Sequence, residues 1–213
     1  MHDPDPAQRQ ARSLEAGLRV SLLSVLWTIA AGASAIIIGM VGGSLVLVVF
    51  GAIGLLDAAG STALVVHFRH ALRHEVISER HERAALLVVT VGMVVVGLAT
   101  AAESAHRLIA HGGAGSLPIG IALAGASVFV LAALAVRKRR ISRLIPSHAL
   151  GADAWLSAAG AALALITLCG TALNAALGWW WLDAVAATIV ASGAIGLGFA
   201  LVRADGRDLQ RSS

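Results

Sequence analysis

The chain has 213 residues, of which 58% are hydrophobic and 13% are charged, and its mean hydropathy is +0.83. A water-soluble domain of this size needs more charged surface, so the composition excludes a soluble globular protein. The net charge of +4 could suggest nucleic-acid binding. The basic residues lie between apolar segments, however, and topology in a membrane explains that placement better. We therefore expect a lipid bilayer as the partner, and no nucleic acid.

Six apolar segments follow one another, each of about the 20 residues that cross a hydrocarbon core. They cover residues 18–41, 44–68, 84–107, 117–136, 149–173 and 179–202. Each must be a helix, because an isolated strand cannot satisfy its backbone hydrogen bonds in lipid. The sequence thus predicts an all-α polytopic membrane protein with six transmembrane helices.

The polar segments at the two ends are short. We expect a cytoplasmic N-terminal segment at 1–17, a transmembrane domain at 18–203 and a short cytoplasmic tail at 204–213. The first segment lacks the short apolar stretch and small-residue cleavage site of a signal peptide. Two brief connections, GMVGG at 39–43 and NAALGWWW at 174–181, predict tight hairpins for the first and last helix pairs.

The distribution of basic residues predicts the orientation. Of the sixteen Lys and Arg residues, all except Arg107 fall on the side that carries both termini. Because cytoplasmic loops carry the excess of Lys and Arg, this side should be cytoplasmic and the membrane the plasma (inner) membrane. The helices are also rich in small residues such as Gly51 and Gly54. Close helix packing explains them better than a moving gate does.

Acidic residues inside apolar segments are costly and often functional. Asp57 lies in the middle of the second segment, where contact with a cation or proton is favoured over a purely structural hydrogen bond. Asp153 has Ser157 one helical turn further on, and for it the two interpretations are level. Asp183 is expected to cap the sixth helix, and Glu103 to lie at a solvated helix end.

Histidines cluster in the cytoplasmic loop HFRHALRHEVISERHER. His70, His74 and His81 form a possible secondary metal site, because neutral imidazole is a common ligand of zinc-like ions. The same loop carries four arginines, which favour a solvated face against anionic headgroups. No phosphate-binding glycine loop, redox cysteine pair or nucleophile with a base is present. The sequence thus predicts neither an enzyme nor a permanently bound cofactor.

Three longer strings are similar to a known family. GSLVLVVFGAIGLLDAAGS in the second segment, ALGADAWLSAAG in the fifth and GWWWLDAVAATIVA in the sixth resemble the cation diffusion facilitator family. The similarity runs from about Leu18 to Val202 in the family's order and spacing. It is strongest to short actinobacterial members that lack the usual C-terminal domain. The resemblance implies proton-coupled efflux of divalent metals, usually by homodimers.

The resemblance also implies where the transported ion binds. The family uses two residues one turn apart on the second helix and two on the fifth, which here are Ile53, Asp57, Leu156 and Gly160. Only Asp57 among these has an oxygen donor. A shifted register gives four oxygens instead, from Asp57, Ser61, Asp153 and Ser157. Such a site would favour hard ions such as Mg²⁺ or Mn²⁺ over zinc.

Three functions remain open from the sequence, and a lipid-interacting membrane protein ranks last, because the topology rule already explains its evidence, the basic cytoplasmic loop RKRRISR at 137–143. The other two follow from the resemblance. The first is a secondary transporter that exports a divalent cation (Zn, Mn, Co or Mg) in exchange for protons, as a homodimer or paired with a homologue. The second is a transport-inactive relative that acts as a membrane partner or regulatory subunit, because three of the four implied ligand positions carry no donor atom.

Overall fold

A computed structural model describes the backbone of residues 6–71, 79–110, 115, 117–144 and 148–212, and the side chains of 19–59, 61–62, 87, 90–110, 115, 117–143 and 153–200. The described residues form six α-helices and no strand. The helices are α1 (Pro6–Gly42), α2 (Leu45–Ala71), α3 (Glu79–Ala110), α4 (Pro118–Leu144), α5 (His148–Leu177) and α6 (Leu182–Ser212). The predicted fold class, an all-α polytopic membrane bundle, is confirmed.

Five helices contain, within the described residues, a stretch long and apolar enough to cross a membrane: α1, α3, α4, α5 and α6. The apolar stretch described for α2 is shorter, Leu45–Ala59. The α2 backbone nevertheless continues to Ala71, for 27 residues in all. At 1.5 Å per residue such a helix is about 40 Å long, which exceeds the thickness of a hydrocarbon core.

Several helices extend beyond the apolar segments from which they were predicted. Helix α1 begins at Pro6 rather than near residue 18, α4 ends at Leu144 rather than near 136, and α6 ends at Ser212 rather than near 202. Hydropathy marks the part of a helix that lies in lipid, whereas the backbone hydrogen bonds continue into the polar flanks. The extension of α4 matters for the site, because it carries Lys138.

Both predicted hairpins are present, and each turn depends on one glycine. Gly43 has φ of 70° and Gly178 has φ of 65°, a left-handed conformation that glycine adopts without strain. The Ser44 amide donates to the Gly39 carbonyl at 2.8 Å, and the Gly178 amide to the Asn174 carbonyl at 2.9 Å. These bonds satisfy carbonyls at the ends of α1 and α5 and reverse the chain within a few residues.

The helices surround a core of small and branched side chains. The most extensive packing is between α4 and α5, α1 and α2, and α3 and α6. The buried apolar cluster is centred on α2 and α6, with contributions from α1 and α5. Helix α2 contacts α1, α3, α5 and α6, so the helix that carries Asp57 lies at the centre of the bundle.

The crossing of α1 and α2 requires glycine at residue 51. A Cβ atom there would collide with the carbonyl oxygen of Gly32, which is backbone and cannot rotate away. At Gly54, one turn along, a Cβ would meet the Thr28 methyl group at an ordinary 3.6 Å. The packing interpretation therefore holds for Gly51, whereas Gly54 has room for a larger residue.

Gly51→Ala is expected to lower the thermal stability of the detergent-solubilised protein, by about 1–3 kcal/mol of overpacking strain. Gly54→Ala is the matched control on the same helix and should be neutral or slightly stabilising, because alanine is the better helix former. Thermal unfolding followed by circular dichroism measures both. Equal effects of the two variants would contradict the assignment of the close approach to Gly51.

Candidate functional site

A cavity of about 50 Å³ lies inside the bundle, and all six helices contribute to its wall. Most of the lining is apolar, from residues such as Phe50, Met93 and Leu163. The polar lining residues are Ser24, Thr28, Asp57, Ser127 and Ser157. The volume is enough for a few water molecules or a partly hydrated ion. Asp57 is the acidic residue on this wall.

All four positions implied by the family resemblance line this cavity. Ile53 and Asp57 come from α2, and Leu156 and Gly160 come from α5. Residues four apart share a helix face, which explains why both pairs point into the same space. Asp57 supplies the one carboxylate of this set. Ile53 and Leu156 present hydrocarbon, and Gly160 has no side chain.

The second acid, Asp153, is buried and paired with a lysine of α4. The ammonium nitrogen Nζ of Lys138 lies 2.9 Å from Oδ2 of Asp153 and also donates to the Ser157 hydroxyl at 2.9 Å. The Ser21 hydroxyl donates to the same Oδ2 at 2.8 Å. Lys138 is 1% exposed and Asp153 4% exposed. Helices α1, α4 and α5 thus meet at a buried, hydrogen-bonded ion pair.

The fourth apolar segment was predicted to end at residue 136, which left Lys138 in a basic cytoplasmic loop, and this was wrong. Helix α4 continues to Leu144, and Lys138 lies on its inward face while Arg137, Arg139 and Arg140 are exposed. One signal could have identified it: Lys138 is the single lysine of the chain, and the other fifteen basic residues are all arginine. A lone lysine within an arginine cluster indicates a different role.

Asp57 and the ion pair interact through space. Asp57 lies within electrostatic range of both Asp153 and Lys138. Asp57 makes no ion pair within 4 Å with any described basic side chain. The ammonium group of Lys138 is paired with Asp153 instead. Two buried polar atoms on the cavity wall, Oγ of Ser127 and Nε1 of Trp27, have no hydrogen-bond partner among the described residues. Such atoms favour a polar occupant of the cavity.

The predicted four-oxygen set is brought together in part. Ser157 lines the cavity and joins it to the Lys138–Asp153 pair. Ser61 is half-buried, one turn beyond Asp57 on α2, and is not among the described residues that line the cavity. The described side chains include no group of three or more His, Cys, Asp or Glu residues that could hold a metal ion. Chemically, the site offers two carboxylates, serine hydroxyls and one ammonium group.

The predicted histidine site lies outside the described side chains. His70 and His81 fall on described backbone without described side chains, and His74 lies in a segment outside the described backbone. This site stays a prediction.

At the opposite end of the bundle, the role expected for Asp183 was wrong. Asp183 does not cap its own helix: Oδ1 accepts from the Ser44 hydroxyl at 2.6 Å and Oδ2 from the Leu45 amide at 2.7 Å. It therefore caps α2 and locks the first hairpin against α6. This contact joins residues far apart in the sequence, so local reasoning could not find it.

The exceptional basic residue, Arg107, belongs to the same cluster. Its guanidinium donates to the Gly43 carbonyl at 2.7 Å and to Glu103 at 2.8 Å, and lies 3.9 Å from Asp183. Arg107 therefore binds the turn between α1 and α2, which explains a basic residue at this end. Glu103 is an exposed partner of Arg107, in agreement with the predicted solvated helix end.

No curated protein matches the chain. The family model described as the cation efflux transmembrane domain matches residues 21–210, which is almost the entire chain. The members of this family are transporters rather than enzymes. Six helices around a central cavity with an acid on its wall agree with a transport domain, and the match over 21–210 establishes that the chain belongs to the cation efflux family of multi-pass membrane transporters.

Proposed function

We propose that the protein is a secondary transporter that exports a divalent metal ion in exchange for protons, with Asp57 as the central cation contact. The observation that carries this proposal is the position of the Asp57 carboxylate, on the wall of a cavity bounded by all six helices of a cation efflux domain. An acid in the middle of a span is expensive, and cation contact supplies a reason to retain it.

Asp153 and Ser157 are the proposed second and third contacts. Ser61, one turn beyond Asp57 on α2, is the fourth. Asp153 is within electrostatic range of Asp57, and Ser157 opens onto the cavity. All four side chains offer oxygen, which suits Mg²⁺ or Mn²⁺ better than the softer Zn²⁺ or Co²⁺. In this proposal the ion is the transported substrate, and the protein needs no resident cofactor.

The proposal includes an orientation and an assembly. The exposed arginines at the end of α4 favour placing the end that carries both termini in the cytoplasm, and the membrane would be the plasma (inner) membrane. The cargo would then leave the cytoplasm. The assembly is proposed to be a homodimer in the lipid bilayer, or a pair with a homologue, as the family resemblance implies.

Asp57→Asn is expected to lower the metal flux at least tenfold relative to wild type, because the amide keeps the shape of the side chain and removes its charge. The full chain is reconstituted into liposomes that contain a metal-sensitive dye. Zn²⁺, Mn²⁺, Co²⁺ and Mg²⁺ are then added separately, with an outward or inward pH gradient. Proton exchange is supported if the direction of the pH gradient changes the metal flux.

Glu103→Gln is the matched control, since Glu103 is an acid of the same bundle that lies at an exposed helix end. It should transport as the wild type does. The transporter proposal is wrong if wild-type protein carries none of the four metals, or if Asp57→Asn carries them equally well.

A second candidate function has its own supporting observation. Ile53, Leu156 and Gly160 place no donor atom in the cavity, and Lys138 already neutralises Asp153. These features favour a transport-inactive relative that regulates or completes a homologue with a full ligand set. Affinity purification from the native membrane should then return such a homologue, and recovery of this chain alone would remove the support.

A further inference from the structure

We propose that Lys138 is a tethered competitor of the transported ion: its ammonium group occupies the cation position on Asp153, and the ion binds only when that group moves away. The inference rests on the proposed function, because it assigns a role within the same site. It goes beyond that function by naming a residue that limits ion affinity and offsets one of the two carboxylate charges of the empty site.

The first argument is geometric. The two oxygens that Lys138 contacts at 2.9 Å, Oδ2 of Asp153 and Oγ of Ser157, are two of the four proposed ion contacts. An ammonium donor and a metal ion require the same lone pairs of these oxygens. Ser21 takes a further lone pair of Oδ2. A metal ion that binds through Oδ2 of Asp153 and Oγ of Ser157 therefore has to displace Lys138.

The second argument is electrostatic. Asp57 and Asp153 supply two negative charges and Lys138 one positive charge, so the site without an ion keeps one uncompensated negative charge. A divalent ion that entered beside the ammonium would leave an excess of positive charge. Like charges a few ångströms apart repel strongly in a medium of low dielectric constant. If the ammonium leaves, the two carboxylates balance the ion.

The third argument is that Lys138 has a place to go. It lies six residues before the end of α4 at Leu144, which is about 9 Å along the helix axis. Its neighbours Arg139 and Arg140 are exposed on the same stretch of helix. A lysine has a flexible four-carbon stem and can extend its ammonium toward such a polar end while its methylene groups stay buried.

The fourth argument is the choice of residue. Fifteen of the sixteen Lys and Arg positions carry arginine, and this position carries lysine. The guanidinium of arginine forms rigid paired hydrogen bonds with a carboxylate, whereas lysine is a compact point charge with rotatable donors. A residue that has to leave its partner in each cycle is better served by lysine. A purely structural ion pair would not need that difference.

The test measures metal binding rather than transport. Wild type, Lys138→Met and Lys138→Arg are purified as full chains in detergent, and Mn²⁺ and Mg²⁺ are titrated separately by calorimetry. Lys138→Met should bind at least about tenfold more tightly than wild type, since the ion no longer displaces a bound cation. Lys138→Arg retains the competing charge and should bind no more tightly than wild type.

A second readout covers the possibility that Lys138→Met is unstable. The metal should then raise the melting temperature of Lys138→Met by more than that of wild type, because it replaces the missing positive charge beside Asp153. If wild type binds metal and Lys138→Met binds it with equal or lower affinity, this inference is overturned and the transport proposal stays intact. Failure of both proteins to bind either metal would overturn the inference and the ion site together. An increase in affinity in Lys138→Arg equal to that in Lys138→Met would also overturn it.

Discussion

Lys138→Met is expected to lower the free energy of unfolding by about 3 kcal/mol, among the largest effects of any single substitution in this chain. The reason is that the variant leaves Asp153 buried without its counter-charge, with the Ser21 hydroxyl as its remaining described partner. The Ser157 hydroxyl also loses the donor that it accepts from. Thermal or denaturant unfolding of the detergent-solubilised protein measures the loss.

The double variant Lys138→Met/Asp153→Leu should recover most of this stability, because it replaces both charges with apolar groups of similar size. The serine hydroxyls can then donate to carbonyls one turn back on their own helices, as Thr167 and Thr171 already do. Arg139→Met is the control for removal of a positive charge from α4, and at an exposed position it should change stability by less than about 0.5 kcal/mol. The ion-pair assignment is wrong if the double variant is less stable than Lys138→Met alone.

The sequence predicted the elements of the fold because the bilayer restricts the possible structures. Six apolar blocks of spanning length can only be helices, and the glycines of the two short connections permit turns with positive φ. The ends of the helices were predicted less well. Hydropathy could not show that α4 continues as a helix to Leu144 through its basic flank.

The charged residues of the site were predicted only in part, because the predicted end of α4 came before Lys138. The position of Asp57 in the middle of a span was sufficient to select it. The partner of Asp153 was missed because Lys138 was counted with its arginine neighbours. The buried residues Ala124, Ser127, Leu131 and Lys138 follow one another at intervals of three, four and seven residues along α4. A helical pattern extended past residue 136 would have placed Lys138 on the inward face.

The contacts of Asp183 could not be predicted from local sequence. Its position in the first turn of α6 is where an acid commonly accepts from the amides of its own helix. The structure instead brings the start of α2 against it, 138 residues away in the chain. Which donors Asp183 accepts from depends on how the hairpins pack, and that packing is set by close approaches such as the one between Gly32 and Gly51.

Gly160→Asp is expected to raise the affinity for a divalent ion by about a hundredfold, because it adds a carboxylate to the cavity wall that Asp57 shares. Space is available, since a Cβ at residue 160 would meet Cδ1 of Leu131 at 3.4 Å, the edge of ordinary contact. Without an ion, the new charge should destabilise the bundle through repulsion from Asp57 and Asp153. Added Mn²⁺ or Mg²⁺ should therefore raise the melting temperature of this variant more than that of wild type.

Gly160→Asn is the matched control, because it fills the same volume without a charge. It should show the steric cost of the substitution and little gain in stability with metal. If Gly160→Asp binds metal no better than Gly160→Asn, the cavity does not gather ligands from α2 and α5, and Asp57 acts without α5. If it binds much more tightly, the geometry of a metal site survives in this chain, and the weak donor set of the natural protein reflects the loss of side chains from an intact scaffold. The comparison thereby shows whether α2 and α5 can supply ligands to one ion.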